Sequence, residues 1–236
     1  MDEQRRLRSR PDKAPLSLDA FTAAAIGLLD REGGQALTLR RVARELETGP
    51  ASLYAYVRTL QELHALVVDR VLAEVKLHEA LSDSPRERLE AILTSYLSVM
   101  FSREGLGELA AGVLPYGDNT ITLTDTIIGC LRQLGMSPAR AAWGYDLLAL
   151  QVTSVAAEQD RRRRQDDPKG RARTAYENAD PDRHTNIDAV RDSLFTGGAS
   201  RFSWAVNVLL TGIAAAPEPT NKPHGGPAGR RQCRPT

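Results

Sequence analysis

The chain holds two cysteines and four histidines, and its formal net charge is only +1. No apolar run approaches membrane-spanning length, so a transmembrane segment is not expected. Cys130 falls in an apolar stretch and Cys233 in a polar tail; a disulfide is not expected, and a reducing cytoplasm fits. The histidines, His64, His78, His184 and His224, do not cluster. No Glu-x-x-His, His-x-x-x-His or Cys–His spacing is present, so neither metal nor cofactor is expected. No nucleophile–base–acid set stands out, which argues against an enzyme. The N-terminus carries arginines with no hydrophobic stretch after them, unlike a signal peptide. Gly105-Leu106-Gly107-Glu108-Leu109-Ala110 matches a degenerate dinucleotide fingerprint, but it follows a helical pattern rather than a strand and is set aside. No β-alternation and no internal repeat survive anywhere, which leaves an all-α chain.

The near-neutral charge counts mildly against a protein that binds nucleic acid by bulk charge. A DNA reading must rest on where the bases point. Residues 38–58 supply such a reading. Leu39, Val42, Ala43 and Leu46 recur at i, i+3, i+4 and i+7, so one narrow helical face is apolar. Thr38 stands at the N-cap position. Glu47-Thr48-Gly49 breaks the helix, and Pro50 opens the next at its first position, where the missing N–H costs nothing. That second helix buries Leu53 and Val57. It turns Ala51, Ser52, Tyr54, Ala55, Tyr56 and Arg58 outward. Small groups of this kind can approach base edges in a major groove, while tyrosines and arginine reach phosphates. Arg40 can share that side, as can Arg44. Arg5, Arg6, Arg8, Arg10 and Lys13 form a basic arm able to reach phosphates or a minor groove, or simply a solvated leader.

The order of these elements resembles the TetR/AcrR family of bacterial transcriptional regulators. The family's N-terminal pattern is met by Leu37-Thr38-Leu39-Arg40-Arg41-Val42-Ala43-Arg44-Glu45-Leu46 and by Leu53-Tyr54-Ala55-Tyr56-Val57. The helix before them, Leu18 to Glu32, also fits. The close resemblance covers about the first third of the chain. Two positions depart from it. Glu47 stands where glycine is usual, suggesting a slightly different turn, and Leu60 replaces a common lysine, removing one phosphate contact.

The resemblance implies an N-terminal three-helix helix-turn-helix domain followed by a larger helical bundle for ligand binding and dimerisation. The expected division is a flexible arm over 1–15, a DNA-binding unit over 16–62, an effector and dimer domain over 63–215 and a disordered tail over 216–236. Thr59-Leu60-Gln61-Glu62 is a capping box for a fourth helix running to about His78. Ser84-Pro85-Arg86-Glu87 starts a fifth. Residues 104–116 are short-helical; Asn119 begins a helix ending at Gly135; Ser137-Pro138 begins a long one to about Arg164. Residues 165–185 read as a mobile loop. Asn186 to Phe195 is a short helix, and a final helix spans about Ala199 to Ala215.

In the family, the long and terminal helices pair with their copies, here Ala139 to Ala157 and Phe202 to Ile213. Ala141, Ala142, Ala149 and Ala156 would let helices approach closely. The implied partners are a double-stranded DNA operator, a second copy of the chain and a mostly apolar small-molecule effector. Tyr96, Met100, Trp143 and Gln151 are the candidate effector contacts, since they are soft, aromatic or polar positions on apolar helices. Gln151 follows Trp143 and Leu147 at helical spacing and should share their face. Arg161-Arg162-Arg163-Arg164 reads first as cations favoured at a helix C-terminus, with a second anion-binding role as the alternative. The function expected is a ligand-responsive regulator, a repressor before an activator. The alternative, resting on Glu47 and Leu60, is an all-α small-molecule-binding protein that has lost operator binding.

Overall fold

The computed structural model describes residues 17–77, 84–164 and 168–220. The expected basic arm, His78 and the end of the tail lie outside them. All regular structure among the described residues is helical. No described helix is long and apolar enough to cross a membrane.

Helix α1 (Leu18–Glu32) begins where the Ser17 hydroxyl accepts the Ala20 N–H at 3.1 Å. It buries Phe21, Ala25, Leu28 and Leu29, while Leu18, at the edge of the same stripe, stays exposed. Helix α2 (Leu39–Glu45) is capped by Thr38 and buries Val42 and Ala43. Its end decides the turn. The Thr48 N–H donates to the Ala43 carbonyl at 2.9 Å, and the Glu47 N–H donates to the Arg44 carbonyl at 3.0 Å. This pair of bonds is a Schellman termination, which requires a left-handed residue. Glu47 takes that conformation, with φ 45°. The turn therefore keeps the geometry that glycine supplies elsewhere, against the expectation of a different one.

Helix α3 (Pro50–Leu53) is shorter than its pattern suggested. The Tyr56 and Val57 N–H groups both donate to the Leu53 carbonyl, so one more turn follows without a regular helix. Leu53 and Val57 are buried as the spacing required. Helix α4 (Leu60–Leu72) starts where the Thr59 hydroxyl accepts the Glu62 N–H at 3.1 Å. It ends earlier than His78. The Ala73, Glu74 and Val75 N–H groups tighten onto carbonyls three residues back, which unwinds the helix while keeping Val75 buried.

The bundle comprises α5 (Pro85–Phe101), α6 (Leu106–Gly112), α7 (Asp118–Gln133) and α8 (Pro138–Arg163). Ala141, Gly144, Leu148, Val152 and Ala156 form the buried stripe of α8. A Cβ on Gly107 would lie 2.4 Å from the Ala156 backbone, so α6 and α8 touch main chain to main chain. The small side chain of Ala156 therefore serves contact within the chain, not between copies.

Residues expected as a mobile loop contain helix α9 (Pro168–Glu177). The Arg191 guanidinium donates to the carbonyls of Tyr176, Glu177 and Ala179, supplying a cation where the helix leaves acceptors open. That long-range cap is invisible to local composition. Arg191 follows α10 (Thr185–Val190), and α11 (Gly198–Ala215) closes the fold against α8.

Candidate nucleic-acid interface and cavity

The residues expected to meet DNA all lie at the surface of the N-terminal helices. Arg40, Ala51, Ser52, Tyr54, Ala55, Tyr56 and Arg58 are all exposed, with Tyr54 at 57%. The arginines of this unit divide into two sets. Arg41 is bound to the Glu32 carboxylate at 2.5 Å and Arg31 to Glu45 at 2.7 Å. Arg40, Arg44 and Arg58 have no side-chain ion pair among the described residues, and all three are exposed. Glu32 and Glu45 are thus engaged by Arg41 and Arg31, whereas the Glu62 carboxylate accepts the Arg58 backbone N–H at 2.6 Å.

A second junction ties this unit to the bundle. Arg103, at the end of α5, holds Asp30 of α1 at 2.5 Å and Glu74, just past α4, at 2.8 Å. The hydrogen bonds it donates to the Glu74 carboxylate, and then to that of Asp30, raise its already high pKa. The backbone meets here as well. The Gly34 N–H donates to the Glu104 carbonyl at 2.8 Å, and a Cβ on either Gly34 or Gly105 would lie 2.9 Å from the other residue's backbone. His64 of α4 lies 3.4 Å from the Leu37 carbonyl, and burial lowers its pKa.

Between α4, α6, α7 and α8 lies a cavity of about 820 Å³. Its apolar wall includes Val68, Leu72, Leu123 and Ile128. Its polar lining is mainly hydroxyl: Tyr96, Tyr116, Thr120, Thr124, Tyr145, Thr153 and Ser154. Thr124 donates its hydroxyl to that of Tyr145 at 2.7 Å. Tyr96 is 6% exposed, and burial, followed by the nearby Tyr145, raises its pKa. Leu114, Ile121 and Leu150 are exposed at the opening. Hydroxyl groups scattered over an aliphatic wall suit a largely apolar molecule with several oxygen substituents.

No family model matches the chain. A transcription regulator from Streptomyces coelicolor is 36% identical and superposes with a TM-score of 0.76, covering 89% of this chain and 100% of that one. The TetR family protein ActR of Streptomyces coelicolor, in complex with (S)-DNPA, is 30% identical with a TM-score of 0.76, covering 86% of this chain and 98% of that one. The chain belongs to the TetR family. Among curated relatives, the transcriptional repressor DrrR1 of Streptomyces coeruleorubidus is 32% identical over 130 residues, 55% of this chain and 48% of that protein. A transcriptional regulator of Saccharopolyspora erythraea is 28% identical over 155 residues, 63% of this chain. The match spans less than two thirds of either curated relative's length.

Within this TetR-family frame, the four expected effector contacts separate. Tyr96 lines the cavity. Met100, Trp143 and Gln151 do not. Met100 is fully buried in the apolar stripe of α5. Trp143 is 54% exposed and Leu147 47%, and Gln151 is half-buried on the next turn. These three share a face, as their spacing required, but it is the outer face of α8. Trp204 and Val208 of α11 are also exposed. The cavity takes a third face of α8: Asp146, Ala149, Leu150, Thr153, Ser154, Ala157 and Arg161. Its signal in the sequence is a stripe of small and polar residues at helical spacing. Tyr145, two residues from the outward Trp143, lines the cavity as well.

Proposed function

We propose that the chain is a ligand-responsive transcriptional regulator, a repressor, that binds a near-palindromic operator as a homodimer and is released by a small-molecule effector. The observation that carries this reading is the set of unpaired arginines, Arg40, Arg44 and Arg58, on the exposed face with Ser52, Tyr54 and Tyr56. Such a face supplies phosphate contacts around a short reading helix. Residues 16–62 form the DNA-binding unit, and residues 63–215 carry the effector site and the dimer contact.

The dimer surface is the outer face of α8 and α11. Trp143, Leu147, Trp204 and Val208 leave large apolar side chains in water, and a second copy covers them by two-fold symmetry. That symmetry sets two reading helices about 34–36 Å apart. The cavity receives an effector that is largely apolar and oxygenated. ActR has been solved with actinorhodin and with (S)-DNPA, which supports a ligand role for this cavity. DrrR1, a repressor, supports the sign of the regulation. Release is a population shift: an effector that prefers the non-binding dimer weakens operator affinity by its differential affinity for the two states.

Random-site selection followed by gel shift tests the reading. Selection should enrich a near-palindrome bound by a dimer. Recovery of unselected sequences would favour a protein that binds small molecules without reading DNA.

A further inference from the structure

The four consecutive arginines at the end of α8 do not do the same work. Arg162 pairs with Glu158, one turn back. Arg163 lies 4.0 Å from Asp160, whose buried carboxylate also accepts the Glu108 N–H at 3.3 Å. Arg164 holds the Glu108 carboxylate at 2.5 Å. Glu108, Glu158 and Asp160, the acids that meet the run among the described residues, are thereby engaged by the other three. Arg161 has no ion-pair partner among the described residues, and it lines the cavity.

Arg161 is also the one cation among the residues that line this cavity. Two acids, Asp125 and Asp146, line the same cavity. Asp146 precedes Arg161 by fifteen residues on one helix, a separation of ~22 Å at the helical rise. That exceeds the screening length of ~8 Å at physiological salt, so Asp146 neither neutralises Arg161 nor repels an anion beside it. Tyr96 lines the same cavity and is 6% exposed. Its hydroxyl is not among the buried polar atoms left without a partner, so it is reached from the cavity, where an oxygen acceptor on a bound molecule can take its hydrogen bond.

We propose that Arg161 is the specificity-determining residue of this cavity and that the effector carries a carboxylate which Arg161 binds, with its apolar body lying along α8 toward Tyr96. The inference rests on the cavity being the effector site. An arginine fork suits a carboxylate because two parallel N–H groups meet its two oxygens. Apart from Asp125 and Asp146, the remaining lining is hydroxyl and apolar, so an uncharged analogue keeps its apolar contacts and loses only this pair.

The test uses 1-pyrenebutyric acid and its methyl ester, two probes that differ in charge and by one methyl group, titrated by fluorescence against the full chain. The wild-type protein should bind the acid about tenfold more tightly than the ester. Arg161→Gln should erase that preference by weakening the acid alone. Arg163→Gln, two residues away and outside the cavity, should keep it. Equal binding of acid and ester by the wild type, or equal weakening of both by Arg161→Gln, would overturn the proposal. Binding of neither probe overturns it together with the cavity assignment. Operator selection on the same preparation separates the two readings: a selected palindrome with no acid preference removes only the role of Arg161, whereas an Arg161-dependent acid preference with no selected DNA removes only the regulator.

Discussion

The carboxylate of Asp69, on α4, accepts both the backbone N–H of Thr120 at 2.8 Å and its hydroxyl at 2.6 Å. It accepts the Asn119 amide as well, at 3.1 Å. One acid thus caps the first turn of α7 from a neighbouring helix, where open N–H groups and the helix dipole favour negative charge. The contact sits at the cavity wall, since Val68, Leu72 and Thr120 all line it. A Cβ on Gly117 would lie 2.3 Å from the same carboxylate, which explains the glycine just before α7.

Asp69→Ala should lower stability by about 1–3 kcal/mol, because it leaves partly buried donors of α7 unpaired. Gly117→Ala should act on the same contact by displacing the carboxylate. The double variant should therefore lose less than the sum of the two single losses in denaturant titrations. Strict additivity would show that Gly117 and Asp69 are not coupled.

Glu47 offers the opposite sign. A left-handed conformation is unfavourable by roughly 1–2 kcal/mol for a residue with a side chain, and glycine escapes that penalty while losing more entropy on folding. Glu47→Gly should stabilise the chain by about 0.5–1 kcal/mol, read as a higher midpoint in urea. No gain would mean that the Glu47 side chain offsets the strain.

His64 makes a pH prediction. Burial lowers its pKa from the ordinary 6.5, outweighing the opposing pull of the Leu37 carbonyl. Below 6.5 the unfolded chain takes up this proton before the folded chain does, so the contribution of neutral His64 is full above 6.5 and falls as pH drops toward the folded value. His64→Gln should flatten the pH dependence of stability in that window. An unchanged slope would place the sensitivity elsewhere.

Local signals carried most of the helix order. Caps at Ser17, Thr38, Thr59, Ser84 and Ser137 all form, and the apolar stripes of α1, α2, α4 and α5 point inward. The exposed face of the first three helices followed from the burial of Leu53 and Val57. What escaped depends on distant partners. Arg191 caps α9 from beyond the next helix, and Arg103 joins α1 to the end of α4. The cavity was legible as a property of the bundle but not residue by residue. On α8, Trp143 and Tyr145 differ by two positions, about 200° of helical turn, and one faces outward while the other lines the cavity.

Operator affinity of two arginine variants tests the central claim, that the exposed face of the first three helices reads DNA. Arg40→Ala and Arg58→Ala should be titrated by fluorescence anisotropy against the selected operator at several salt concentrations. Arg40→Ala should cost about 1–3 kcal/mol and relax preference at one operator position. Arg58→Ala should weaken all sequences alike and reduce the salt slope by about one unit. If both variants keep wild-type affinity, sequence preference and salt slope, this face does not contact DNA and the account is wrong.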